Sequence, residues 1–181
     1  TEVCSFYYDN DRTFPEALDL QVKEALRSTE EIMGSKFGDT QNPLLVSIRS
    51  GARQSMPGMM ETVLNVGLTS KTIPGLIDKT GNDRFVYDAY RRLIMMYADV
   101  VMEKAAGKEP KNGIGIRHRL ESLIEKHKNE NQYTNDTDLS GEDWKLLSEN
   151  FKTEIKKTLK NEFPDDPMDQ LWGAIMAVFQ S

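Results

Sequence analysis

A helix-dominated α+β fold, with a small sheet and an appended helical bundle, is what this chain predicts. Three observations lead there. Long segments repeat apolar residues at spacings of three and four between recognisable caps, and only two short runs rich in branched residues read as strands. The stretch from Lys111 to Asn161 is rich in Lys, Glu and Asn yet keeps helical order, as an exposed helical insertion would. A length of 181 residues suits one core with an appendage.

The elements follow in order. Val3, Cys4, Phe6, Tyr7 and Tyr8 form an apolar, aromatic opening without an initiating Met. Thr13, Pro15 and Glu16 read as a helix start, with a capping hydroxyl, a proline whose missing N–H costs nothing in the first turn, and a glutamate placed to reach back. Leu18, Val22, Ala25, Leu26, Ile32 and Met33 continue that helix to Gly34, a left-handed terminator. Leu44 to Ile48 reads as a buried strand and Thr62 to Gly67 as a second extended segment. Ile73-Pro74-Gly75-Leu76-Ile77 starts a short helix, and Thr80-Gly81-Asn82-Asp83 is a turn with a cap. Val86, Tyr90, Leu93, Tyr97, Val100 and Val101 form the strongest apolar stripe, running through Met102, with Gly107 and Pro110 beyond it. Leu120, Leu123, Ile124 and His127 share a helix face, and Ser140 with Asp143 caps a helix carrying Trp144, Leu147, Phe151, Ile155 and Leu159. Asp166-Pro167 starts a last helix through Leu171, Ile175 and Phe179, still apolar when the chain stops at Ser181. Both ends fall inside patterns, so the expectation is a piece of a longer protein.

Composition narrows the function. A formal charge of -6 disfavours wholesale binding to nucleic acid or anionic lipid, so any anion site must be local. No apolar run approaches the roughly 20 residues that cross a bilayer, and no secretion signal opens the sequence. One cysteine, Cys4, excludes an intramolecular disulfide and fits a reducing compartment, cytoplasmic or organellar. His118 and His127 lack the close spacing of a zinc site and read as solvated surface residues, so no metal ligand is assigned. Asp165, Asp166 and Asp169 suit the positive end of a helix dipole; Glu61 stays ambiguous.

Chemistry concentrates in the segment from Arg49 to Met60, which follows the first strand and joins two guanidinium groups, two hydroxyls and two glycines. Arg49 and Arg53 can offer forked, permanently charged donors to phosphate oxygens, Ser50 a hydroxyl, and Gly51 close approach of backbone N–H groups. On composition alone, a structural loop whose arginines pair with carboxylates is the favoured reading, because Arg followed by Ser and Gly after a strand is common. No Walker loop, dinucleotide fingerprint, Ser/His/Asp set or kinase signature is present.

The run Asn42-Pro43-Leu44-Leu45-Val46-Ser47-Ile48-Arg49-Ser50-Gly51-Ala52-Arg53, continuing from Ser55-Met56-Pro57-Gly58-Met59-Met60 to Gly67, closely resembles the nucleotide-binding domain of the pyruvate, phosphate dikinase family. Thr80-Gly81-Asn82, Tyr87 to Arg92, Asp99 to Glu103, Asp169-Gln170-Leu171 and Ala177-Val178-Phe179 extend the similarity along nearly the whole chain. The resemblance implies a partial ATP-grasp domain: residues 1–70 in the nucleotide-binding subdomain, 71–165 a helical insertion, and 166–181 a helix returning to that subdomain. It also implies a parent enzyme that converts ATP, phosphate and pyruvate to AMP, pyrophosphate and phosphoenolpyruvate through a carrier histidine, with Mg²⁺ and a monovalent cation. Arg49 matches the family's ATP-phosphate arginine, with Ser50, Gly51 and Arg53 in the same loop. The glycine-rich lysine segment, the metal-binding acids, the Thr-Ser-His carrier motif and the pyruvate-binding barrel are not in this sequence. No catalytic residue is therefore assigned, and the segment alone is expected to be inactive. The partners expected are the parent's remaining domains and a second copy in a homodimer. Two alternatives stand beside this reading: a segment of the related pyruvate, water dikinase that makes phosphoenolpyruvate, and a helical interaction module without catalysis. The Gly-Ala-Arg and Met-Pro-Gly-Met-Met sequences resemble the phosphate-using family better.

Overall fold

The computed structural model describes residues 2–49, 62–108, 110 and 113–180. Seven α-helices dominate: α1 (Glu2–Asp9), α2 (Leu18–Met33), α3 (Ile73–Thr80), α4 (Asp83–Tyr97), α5 (Ile116–Asn131), α6 (Gly141–Leu159) and α7 (Pro167–Gln180). The strands are β1 (Lys36–Phe37), β2 (Pro43–Leu44), β3 (Val46–Arg49) and β4 (Thr62–Val66). The fold is helix-dominated α+β, as expected. The first predicted strand divides at Leu45: β2 pairs with β1 in parallel, whereas β3 pairs with β4 antiparallel. Ser47 faces two residues of β4, and Asn65 takes up the extra one in a left-handed conformation with φ 59°.

Caps explain most helix boundaries. The Asn82 side chain accepts from Phe85 N–H at 2.9 Å and starts α4, directly after Gly81 has ended α3 in the left-handed region. Ser140 and Asp143 form a reciprocal capping box on α6, and Asp166 Oδ1 accepts from the amides of Met168 and Asp169 at the start of α7. The start read at Thr13, Pro15 and Glu16 is corrected: α2 begins at Leu18, without a side-chain cap. Its apolar stripe is also less buried than expected, since Leu18 is buried but Ile32 and Met33 are exposed.

The long stripe of α4 does not end at Tyr97 but passes into a π-helical segment, Ala98–Lys104, where bonds such as Ala105 N–H to Val100 O at 3.0 Å span five residues. Widening the turn brings Asp99 and Glu103 inward beside Val100 and Met102. Glu103 then supplies the cap that Gly115 cannot: both carboxylate oxygens accept from the Ile116 amide, at 2.8 and 3.0 Å.

One apolar cluster joins the hairpin to the helices. Val63 and Val66 of β4 meet Val86, Tyr90, Leu93 and Ile94 of α4, and the cluster runs on through Trp144, Phe151 and Ile155 of α6 to Leu171 and Ala174 of α7. The Lys- and Glu-rich stretch thus contributes some of the largest fully buried side chains. Burial pushes the phenols of Tyr90 and Tyr97 well above their ordinary range, with nearby carboxylates adding to it.

Gly75 marks a close contact between α3 and the turn before β2. A Cβ there would stand 2.1 Å from Thr40 O and 2.8 Å from the Gln41 Cα. Both are backbone atoms, which cannot rotate aside. Gly75→Ala is expected to destabilise the chain by about 1–3 kcal/mol, the usual cost of overpacking, and a urea midpoint equal to the parent's would refute this. Acid should also act through this turn and through both caps near α6. Asp39 is held below the usual carboxylate range by the amides of Asn42 and Gln41, and Asp138 by those of Asn135 and Thr134. Burial raises the Asp143 carboxyl, but donation from Ser140 and His127 outweighs it and leaves it lowered. Lowered folded-state values mean that the unfolded chain takes up protons first, so this stabilisation is complete above the unfolded carboxylate pKa of about 4 and fades as pH falls further. The thermal midpoint is expected to drop between about pH 4 and pH 2.5; a midpoint flat over that interval would show that these carboxylates are not linked to folding.

Candidate functional site

Arg49 is the last residue of β3, and its Cα partner is Thr62, the first of β4. It therefore stands at the end of the hairpin where residues 50–61 connect the two strands in sequence. Its side chain is exposed and makes no ion pair or hydrogen bond among the described residues. Ser50, Gly51 and Arg53, predicted to act beside it, lie outside the described residues, as does Glu61.

The hairpin's inner face is fixed by Val63 and Val66, both fully buried, and its far end by a buried polar clamp. Gly67, with φ 108°, approaches so closely that a Cβ would lie 2.8 Å from the Phe37 ring and 3.0 Å from Leu44 O. Its N–H donates to Gln170 Oε1 at 3.0 Å, and its carbonyl accepts from the Thr72 hydroxyl at 2.8 Å. The Gln170 amide nitrogen donates in turn to Leu68 O at 2.8 Å and Pro164 O at 3.0 Å. Next along the chain, Asp165 accepts from the Ser70 amide at 2.8 Å and from its hydroxyl. Asp165 thus ties two distant segments together, whereas the role expected of these acids at the helix start falls to Asp166, at the cap, and Asp169, in the first turn of α7.

Leu64, on the strand beside Val63, borders a cavity of about 410 Å³ together with Arg91, Arg92, Met95, Met96 and Arg117. Its arginines are already engaged. Arg91 bonds Asp88 at 2.9 Å and Asp136 at 3.3 Å, and its guanidinium lies 4.3 Å from the Trp144 ring centroid. Arg92 pairs with Asp88 at 2.8 Å, and Arg117 with Asp99 and Glu121. These cations hold α4, α5 and the 136–138 turn together, so the cavity offers no uncommitted charge to an anion.

His118 is exposed, as expected. His127 is not: it is largely covered, and its Nε2 meets Asp143 Oδ1 at 2.7 Å, joining α5 to the cap of α6. Cys4 is half-buried in α1. No group of three or more His, Cys, Asp or Glu close enough to hold a metal ion occurs among the described residues, so none of them fits as a Mg²⁺ site. No described helix is long and apolar enough to cross a membrane.

Sequence reasoning missed Gln170, Thr69 and Thr72, all fully buried. A signal for Gln170 existed. It occupies the same helix face as Ala174 and Ala177, where an amide has no reason to be unless buried backbone groups need it.

No family model matches the chain. Individual relatives do, from end to end. It is 48% identical over 182 aligned residues to the pyruvate, phosphate dikinase of Clostridium symbiosum, covering all of this chain and 20% of that protein. It is 44% identical to the enzyme of that name from Rhizobium meliloti strain 1021, covering 19% of it. The chloroplastic pyruvate, phosphate dikinase 1 of Arabidopsis thaliana is 42% identical, with 18% of its length covered. The chain spans about a fifth of the length of these curated relatives.

Proposed function

The chain belongs, as a segment, to the pyruvate, phosphate dikinase family, and on that premise we propose that it forms part of the enzyme's nucleotide-binding unit, with Arg49 as a ligand to ATP phosphate. The observation that carries the reading is the pairing of full-chain similarity with an exposed guanidinium at the end of β3 that has no carboxylate partner among the described residues. That geometry favours an anion-binding arginine over a structural one, because every arginine around the neighbouring cavity is already paired.

In this reading residues 1–70 and 166–181 belong to an ATP-grasp nucleotide-binding subdomain, and 71–165 are its helical insertion. Ser50, Gly51 and Arg53 complete the phosphate loop with a hydroxyl and backbone N–H groups. The whole enzyme exchanges ATP, phosphate and pyruvate for AMP, pyrophosphate and phosphoenolpyruvate. The carrier histidine, the pyruvate site and the ligands for Mg²⁺ and a monovalent cation come from its other parts. Phosphoryl transfer needs its reacting groups aligned and its developing charge neutralised, and this segment supplies a share of both. By itself it is inactive. The relatives' identity as pyruvate, phosphate dikinases favours the phosphate-using enzyme over the water-using one.

The test is pyruvate-dependent ATP turnover by a full-length enzyme carrying Arg49→Ala. A large loss is expected, whereas turnover equal to that of the parent enzyme would remove Arg49 from the site and leave a helical interaction module as the better account.

A further inference from the structure

The structure points to Gln170 as a positioning residue for Arg49, and we propose that its buried carboxamide sets the geometry of the nucleotide-phosphate contact from the opposite end of the hairpin. The inference rests on the proposed phosphate role of Arg49.

A two-stranded hairpin is marginal by itself, because it has no third strand to fix its twist or position. Among the described residues β3 and β4 are such a pair, and the bulge opposite Ser47 breaks their register near the middle. α4 packs against β4 through Val63 and Val66, and the end of the pair that follows Val66 is held from α7, by a residue 103 positions beyond Gly67. Gln170 is fully buried and uses both ends of its carboxamide: it accepts from Gly67, the residue that follows β4, and donates to Leu68 and Pro164. Gly67 and Leu68 thereby have a defined place relative to α7. Thr72 and Asp165 secure the adjoining residues. β4 leads back from that anchor to Thr62, whose partner is Arg49. A guanidinium can clamp a phosphate only if its strand is held still, since a misplacement near 1 Å is enough to cost about a hundredfold in a reaction that depends on alignment.

Gln170 touches neither Arg49 nor any substrate, so its effect should pass through Arg49 and should be visible as coupling. Gln170→Leu keeps the volume but leaves the Gly67 N–H and the Leu68 carbonyl without their partner. Gln170→Glu keeps the acceptor for Gly67 and loses the donor. In the full-length enzyme, Gln170→Leu is expected to raise the KM for ATP about tenfold while the KM for pyruvate stays the same, with Gln170→Glu in between. Measured again with Arg49→Ala already in place, the same change should raise the KM for ATP less than about twofold.

An unchanged KM for ATP, an equal rise for both substrates, or an undiminished rise in the Arg49→Ala background would each overturn the inference. If Gln170→Leu does not fold, Gln170→Glu takes its place in the same cycle under the same criteria. If Arg49→Ala alone leaves ATP turnover and KM intact, the phosphate role fails first, and the inference falls with it. A normal Gln170 variant beside a crippled Arg49 variant would sink the inference alone.

Discussion

Arg49→Ala in the full-length enzyme is expected to lower ATP-dependent turnover by about 10²–10³-fold, the range seen when one preorganised donor to a developing charge is removed. The effect is large for two reasons. The guanidinium is a permanently charged fork that can hold two phosphate oxygens at once, and it stands at a strand end whose pairing partner, Thr62, fixes its origin. Arg49→Lys tests the geometry separately from the charge. Lysine keeps the cation and loses the fork, so a partial recovery, with turnover between those of the parent and Arg49→Ala, is expected. Full recovery by lysine would mean that Arg49 contributes charge alone. Neither variant should alter folding, because the side chain is exposed and bonds to no described residue.

Trp144→Ala is the substitution expected to harm stability most, by about 3–5 kcal/mol. Trp144 is 0% exposed and lies in the apolar cluster where α6 meets α4. Truncation would leave a cavity and would also remove the ring beneath the Arg91 guanidinium, loosening the clamp with Asp88 and Asp136. Trp144→Phe separates these effects. The indole Nε1 is buried without a hydrogen-bond partner among the described residues, so phenylalanine removes a polar group that gains nothing there, keeps most of the packing, and keeps a face for Arg91. Phenylalanine should therefore cost less than half as much as alanine in urea unfolding. Equal losses for the two variants would show that the indole's full width, and not the presence of a ring, fixes the α4–α6 contact.

Sequence legibility was uneven for physical reasons. Helices with side-chain caps could be located to the residue, as at Asn82, Ser140 and Asp166, because a cap is a local contact between near neighbours. The boundary at Thr13 to Glu16 failed because cap-forming residues were present but the chain used none of them. The division of the first strand at Leu45 and the π-helical continuation of α4 depend on where distant elements press, which local periodicity does not record. His127 was misread as solvated because its cover comes from Asp143, on the next helix. The site divides in the same way. Arg49 was found through residues contiguous in sequence, whereas Gln170 became visible only when α7 was seen against the turn after β4.

That last contact joins residues 103 positions apart, and this separation sets an order of assembly. Contacts between neighbouring helices close short loops and can form early, but the clamp on Gly67 must wait until Gln170 has been synthesised and α7 has docked. Emerging from the ribosome at about 5–20 residues per second, the chain would hold β3 and β4 without their anchor for several seconds at least. In that interval Val63 and Val66 lack the Leu171 and Ala174 side of their cluster, and two strands with open edges are available to other chains. The segment proposed to grip phosphate is thus among the last parts of the fold to be made secure, and the nascent polypeptide is most open to mispairing in the stretch its chemistry would depend on.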